Sequence, residues 1–87
     1  MSWEIEDTDL FLAAIKEHKK NAELLQAIDK KIIRLQEDPH SVGGKLSGEL
    51  HGWQSTRLVR TFRLFFKIDE NIRKVYLGTI RHRKEAY

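Results

Sequence analysis

The residues able to do chemistry gather late in the chain. Arg57, Arg60, Arg63, Arg73, Arg81 and Arg83 fall in its second half, and the final seven residues read Arg81-His82-Arg83-Lys84-Glu85-Ala86-Tyr87. Arginine presents a planar fork that meets a phosphate through two parallel hydrogen bonds, where lysine offers only a point charge. Strand pairing that brings Arg57, Arg63 and the 81–83 segment onto one face would set several fixed cations beside a His or Tyr proton carrier. RNA cleavage without a metal requires that combination. The ribose 2'-hydroxyl attacks the adjacent phosphorus, a base takes its proton, cations hold the added charge, and an acid protonates the leaving oxygen. DNA lacks the 2'-hydroxyl and cannot follow this route. The same residues also make a basic binding face with no catalysis, and composition leaves both readings open.

Charge is divided along the chain. Residues 1–38 carry six Lys/Arg against nine Asp/Glu, and residues 39–87 carry ten against four, within a formal net charge of +3. The second half is therefore the one expected to face a polyanion. With 87 residues, 40% hydrophobic and 33% charged, the composition fits one soluble globular domain over 1–87. No apolar run reaches membrane-spanning length, and Trp3-Glu4-Ile5-Glu6-Asp7 is acidic where a signal peptide is basic, so a cytoplasmic protein with no membrane partner is expected. The absence of cysteine excludes disulfides, thiolate metal sites and cysteine nucleophiles.

Other motifs carry less. Gly43-Gly44-Lys45 lacks the glycine spacing and the following Ser/Thr of a phosphate loop, and is read as a relaxed crossover between helix and strand. His18, His40, His51 and His82 form no metal-ligand spacing, so neither a metal nor any other cofactor is expected. Trp53, between Gly52 and a polar pair, is read either as a plug at a strand entry or as a platform that stacks on a base.

The elements that must position these residues follow from periodicity. Leu10, Phe11, Ala14 and Ile15 predict a short helix capped by Thr8 or Asp7. Asn21 caps a second, with a stripe of Leu24, Leu25, Ile28, Ile32 and Leu35, ended by Asp38-Pro39; Lys19-Lys20 joins the two as an antiparallel pair. Trp3-Glu4-Ile5 is a short strand or an extended arm. After His40-Ser41-Val42-Gly43-Gly44 the period drops to two. Residues 45–50 start the sheet or lead into it, 55–59 form a strand turned by Arg60-Thr61, and 62–68 form the clearest strand. In that strand Phe62, Leu64, Phe66 and Ile68 share one face, and Arg63, Phe65 and Lys67 the other. Asp69-Glu70-Asn71 turns the chain into a last strand over 75–80. The predicted fold class is α+β, with two N-terminal helices on one face of a small twisted antiparallel sheet and the other face open.

On these residues the sequence resembles the RelE family of toxins from type II toxin-antitoxin systems. The resemblance rests on Lys45-Leu46-Ser47-Gly48, Arg57-Leu58, Phe62-Arg63-Leu64-Phe65-Phe66-Lys67-Ile68-Asp69 and Ile80-Arg81-His82-Arg83-Lys84-Glu85-Ala86-Tyr87, in that order. It implies a RelE-like fold and a ribosome-dependent endoribonuclease that cuts mRNA in the A site and inhibits translation, held in check by a cognate antitoxin. It further implies that Arg63 stabilises the cleaved phosphate. Arg83 is implied as leaving-group acid or phosphate clamp, with Arg81 as a competing assignment, and Tyr87 as base or stacking group. Arg57 is implied in substrate-phosphate binding, with Arg60 and Arg81 as further substrate contacts and His82 as a spare acid-base group. The alternatives are a ParE-like DNA gyrase inhibitor on the same fold, or a catalytically silent nucleic-acid-binding relative.

Overall fold

Thr8 and Asn21 set where the two helices begin. In a computed structural model of the protein, which describes residues 2–42, 44–45 and 52–82, helix α1 spans Asp9–Glu17 and helix α2 spans Ala22–Glu37. The Thr8 Oγ1 accepts from the Phe11 amide at 3.2 Å, and the Asn21 side chain accepts from the Leu24 amide at 3.1 Å. Each satisfies an amide that a helix start otherwise leaves open. A nine-residue helix such as α1 is marginal in isolation. It is held because Thr8 Oγ1 also donates to the Leu77 carbonyl at 2.6 Å, and because Phe11 and Ala14 are buried. Leu10 lies about 100° around the helix from Phe11 and stays 66% exposed, so the expected stripe loses that member. Helix α2 ends at Glu37, where Asp38-Pro39 opens a single 3₁₀ turn, Pro39–Ser41.

Strands β1 (Glu4–Asp7), β2 (Gly44–Lys45), β3 (Gln54–Arg57), β4 (Phe62–Asp69) and β5 (Lys74–His82) form one sheet in the order β1-β5-β4-β3-β2. The antiparallel run from β2 to β5 matches the expectation, and the sheet is otherwise mixed. The Trp3-Glu4-Ile5 segment is a true strand that precedes the helices and pairs parallel with β5, Glu4 against Lys74 and Ile5 against Val75. Residues of opposite charge hold this edge. Lys74 Nζ lies 2.8 Å from Glu6 and 3.3 Å from Glu4. Those two hydrogen bonds, Glu6 first, keep its ammonium above the ordinary lysine range. Periodicity within the segment carries no information about the direction of its partner. Strand β3 ends at Arg57, short of the expected Val59, because Leu58 and Phe62 close a turn in which Arg60 takes a left-handed φ of 58°.

The core lies between the sheet and both helices. Leu24, Ile28 and Leu35 of α2 and Phe11 and Ala14 of α1 meet Leu64, Phe66, Val75, Leu77 and Ile80, with Trp3 and Val42 at its margins. Phe66, Leu64, Leu24 and Leu77 are fully buried, each contributing about 1.5–3 kcal/mol by leaving water. The even-numbered residues of β4 face the helices as expected, and Arg63, Phe65 and Lys67 face away. Among the described residues no helix is long and apolar enough to cross a membrane.

Candidate nucleic-acid interface

Strand register places three of the expected arginines in one row. Arg57 is directly opposite Arg63, and Arg63 directly opposite Arg81, across β3, β4 and β5. Residues opposite one another share a face, so the row crosses the open side of the sheet. Like charges placed this way destabilise a sheet. Among the described residues no carboxylate pairs with any of the three. The row's central member is fixed: Arg63 donates to Ser55 Oγ from Nε at 3.2 Å and from an Nη at 3.1 Å. Ser55 is buried at 2% exposure, so its hydroxyl orients the guanidinium and leaves the rest of the fork available. A half-exposed arginine anchored on one side, flanked by two exposed ones, is suited to a phosphate group.

The basic character continues round the edge of β3. Arg57 also borders a groove of about 450 Å³ with Ala27, Lys30, Lys31, Arg34 and Leu58. Burial, and then the charge of Arg34, lower the Lys31 pKa. The net-negative first half of the chain thus adds three cations to the arginine end of the molecule. The spacing 30, 31, 34 on a helix was their only signal in the sequence.

Further along the open face the sheet carries a bulge. Leu64 pairs with Ile80 but Phe66 pairs with Leu77, so Gly78 and Thr79 together oppose Phe65. Trp53 lies over this point. A Cβ on Gly78 would sit 2.4 Å from the Trp53 Cζ3 and 2.9 Å from Cη2, a space only glycine leaves open. Phe65 is buried yet lies outside the helix-side core, and Trp53 is half-buried, with its six-membered ring seated on Gly78.

Other expected site residues are placed elsewhere. Arg60 stands in the turn before β4, with its Nε donating to Glu23 of α2 at 2.9 Å, off the arginine row. His82 follows Arg81 and therefore alternates to the helix side, opposite Phe62, with Thr61 Oγ1 hydrogen-bonded to its Nε2 and its ring edge-on to Phe62 at 5.4 Å. Arg83 and Tyr87, and the Leu46-Ser47-Gly48 motif, lie outside the described residues. Ser55 was not anticipated. Period-two alternation put it on the face of Arg57, but only the register with β4 makes it the holder of Arg63.

An α+β domain with two helices on one face of a mixed sheet and an arginine row on the other is the class defined so far. No protein-family model matches the sequence, and no curated protein matches it. Solved structures do. The toxin-antitoxin complex RelBE2 from Mycobacterium tuberculosis contains a chain that aligns with a TM-score of 0.80 and 25% identity, over 95% of this chain and 100% of that one. A YoeB/ParE toxin from Agrobacterium tumefaciens aligns at 0.79 and 16% identity, over 91% and 96%. YafQ from E. coli aligns at 0.80 and 13% identity, over 98% of both chains. The chain has the fold of the RelE-type toxins, as the resemblance read from its sequence implied.

Proposed function

We propose that the protein is the toxin of a type II toxin-antitoxin pair, a ribosome-dependent endoribonuclease acting in the cytoplasm on mRNA in the A site. The observation that carries this reading is the row Arg57, Arg63, Arg81, with Arg63 anchored on buried Ser55. Three adjacent guanidinium groups cost stability in the free protein, and a polyanion removes that cost.

In this reading the scissile phosphate sits on Arg63, with Arg57 and Arg81 on either side. Attack by the 2'-hydroxyl adds negative charge to the non-bridging oxygens, and donors fixed in advance favour that state over the ground state. Tyr87 takes the 2'-hydroxyl proton in this scheme, a role that a phenol with an ordinary value of about 10 fills at neutral pH only with the help of cations. Arg83, or Arg81 from the row, assists the leaving 5'-oxygen. A cognate antitoxin covers the row in the resting cell, as the RelBE2 relative was solved in a toxin-antitoxin complex.

Induced expression of the protein without its antitoxin is expected to stop growth and the incorporation of labelled amino acids within one generation. Arg63→Ala is expected to abolish both effects at equal protein level with the domain still folded, its stability changing by only about 1 kcal/mol as the lost Ser55 hydrogen bonds and the relieved charge row offset one another. Growth arrest with protein synthesis intact would instead favour the gyrase-inhibitor alternative.

A further inference from the structure

Beyond the arginine row, the open face holds a second row that the proposed chemistry does not use. Lys67 is directly opposite Tyr76, and Tyr76 directly opposite Glu6 of β1. Trp53 enters β3 one residue before Gln54, which pairs with Phe66, so it stands beside Lys67. These residues line an open basin of about 530 Å³ that Thr8 also borders, with Asp69, Glu70 and Asn71 at its hairpin end. Ligand sites span roughly 300–1,000 Å³. The indole is held against Gly78 and is not free to collapse into the basin. The basin is therefore preformed, with one aromatic wall from Trp53 and another from Tyr76.

Its carboxylates are partly engaged. The Glu4 and Glu6 carboxylates are engaged by Lys74, whose ammonium lies 5.8 Å from the Tyr76 ring centroid. Asp69 accepts from the Asn71 amide at 3.0 Å, and Glu70 bonds His40. Asp69 and Glu70 keep the hairpin end acidic, and Lys67, exposed beside Trp53 and Tyr76, is the one cation among the residues that line the basin. Four residues along a strand span about 13 Å, so Arg63 and Lys67 lie within reach of one short oligonucleotide.

We infer that the Trp53–Tyr76 basin is a nucleobase site, taking one unstacked base of a single-stranded RNA whose backbone crosses the arginine row. The inference rests on the RNA reading proposed above and adds a contact remote from the scissile phosphate. Aromatic walls accept the face of a base, an ammonium beside them meets the adjoining phosphate, and the polar groups at the hairpin end meet the base edge. The lining of the basin gives these roles to Trp53 and Tyr76, to Lys67, and to Asn71.

The test uses the intact protein carrying Trp3→Phe, which leaves Trp53 as the sole tryptophan. It is titrated at low salt with a short 2'-O-methyl oligoribonucleotide, which cannot be cleaved by 2'-hydroxyl attack, and with a ladder of the same oligonucleotide abasic at each position in turn. Binding is expected to quench Trp53 emission. One abasic position is expected to abolish the quench and weaken binding roughly tenfold, and Tyr76→Leu should reproduce that loss while erasing the difference between ladder members. Arg63→Ala should weaken every member equally. Arg63-dependent binding with the same affinity across the whole ladder and no change in Trp53 emission would overturn the base site while leaving the phosphate row intact, and would leave the basin to a protein side chain. Failure of any oligonucleotide to bind at low salt would overturn the base site, and cleavage of translated mRNA, lost in Arg63→Ala, would show the RNA reading to stand without it.

Discussion

Ser55 and Arg63 form the unit on which the proposed chemistry turns. The hydroxyl accepts twice from one guanidinium, which sets the fork before any phosphate arrives. Preorganised donors act on the transition state because they need no reorganisation as charge develops. Ser55→Ala should therefore slow cleavage at saturating substrate by roughly tenfold while leaving the substrate concentration at half-maximal rate nearly unchanged. Stability should fall by only about 1 kcal/mol, the net worth of a hydrogen bond. Single-turnover cleavage beside a thermal melt separates the two effects, and an unchanged rate would mean that Arg63 needs no holder. The arginines themselves were legible in the sequence from their type and period-two spacing. Their holder was not, because it depends on which residue of β3 lies beside Arg63, and register is a property of two strands together.

Element boundaries were legible where local chemistry decides them. Thr8, Asn21 and Asp38-Pro39 start and stop the helices as their capping and φ restrictions require. The parallel pairing of β1 with β5 was not, since a four-residue strand says nothing about its partner's direction. The bulge left a trace that period-two reading passes over. The buried apolar residues of β5 run Val75, Leu77, Ile80, a slip of one position where Gly78 and Thr79 share a partner. That slip seats Trp53, which yields a sharp expectation. Gly78→Ala puts a methyl 2.4 Å from the indole and 3.2 Å from the Phe65 carbonyl oxygen, and should destabilise the domain by about 1–3 kcal/mol, the range for overpacked sites. The urea midpoint should fall, and Trp53 emission should shift to the red as the indole is displaced. A neutral substitution would show that the indole is not seated on the bulge.

Over the whole molecule, division of labour follows the two faces of the sheet. The helix face buries the core and the β1 edge is latched by Lys74, while the open face carries arginines at one end and an aromatic basin at the other. The sequence assigned the basic role to the second half of the chain, but Lys30, Lys31 and Arg34 of α2 join Arg57 once the chain folds. Charge summed along a sequence does not reveal which segments end up adjacent. The proposed function requires this arginine row to cut mRNA only when a ribosome presents it. Primer extension on a reporter mRNA in a cell-free bacterial translation system tests it most directly, with the same RNA free of ribosomes and with Arg63→Ala as comparisons. Cleavage confined to translated codons, and lost with Arg63→Ala, is the expected result. Intact mRNA under full translation, or cuts that persist without Arg63, would contradict the account.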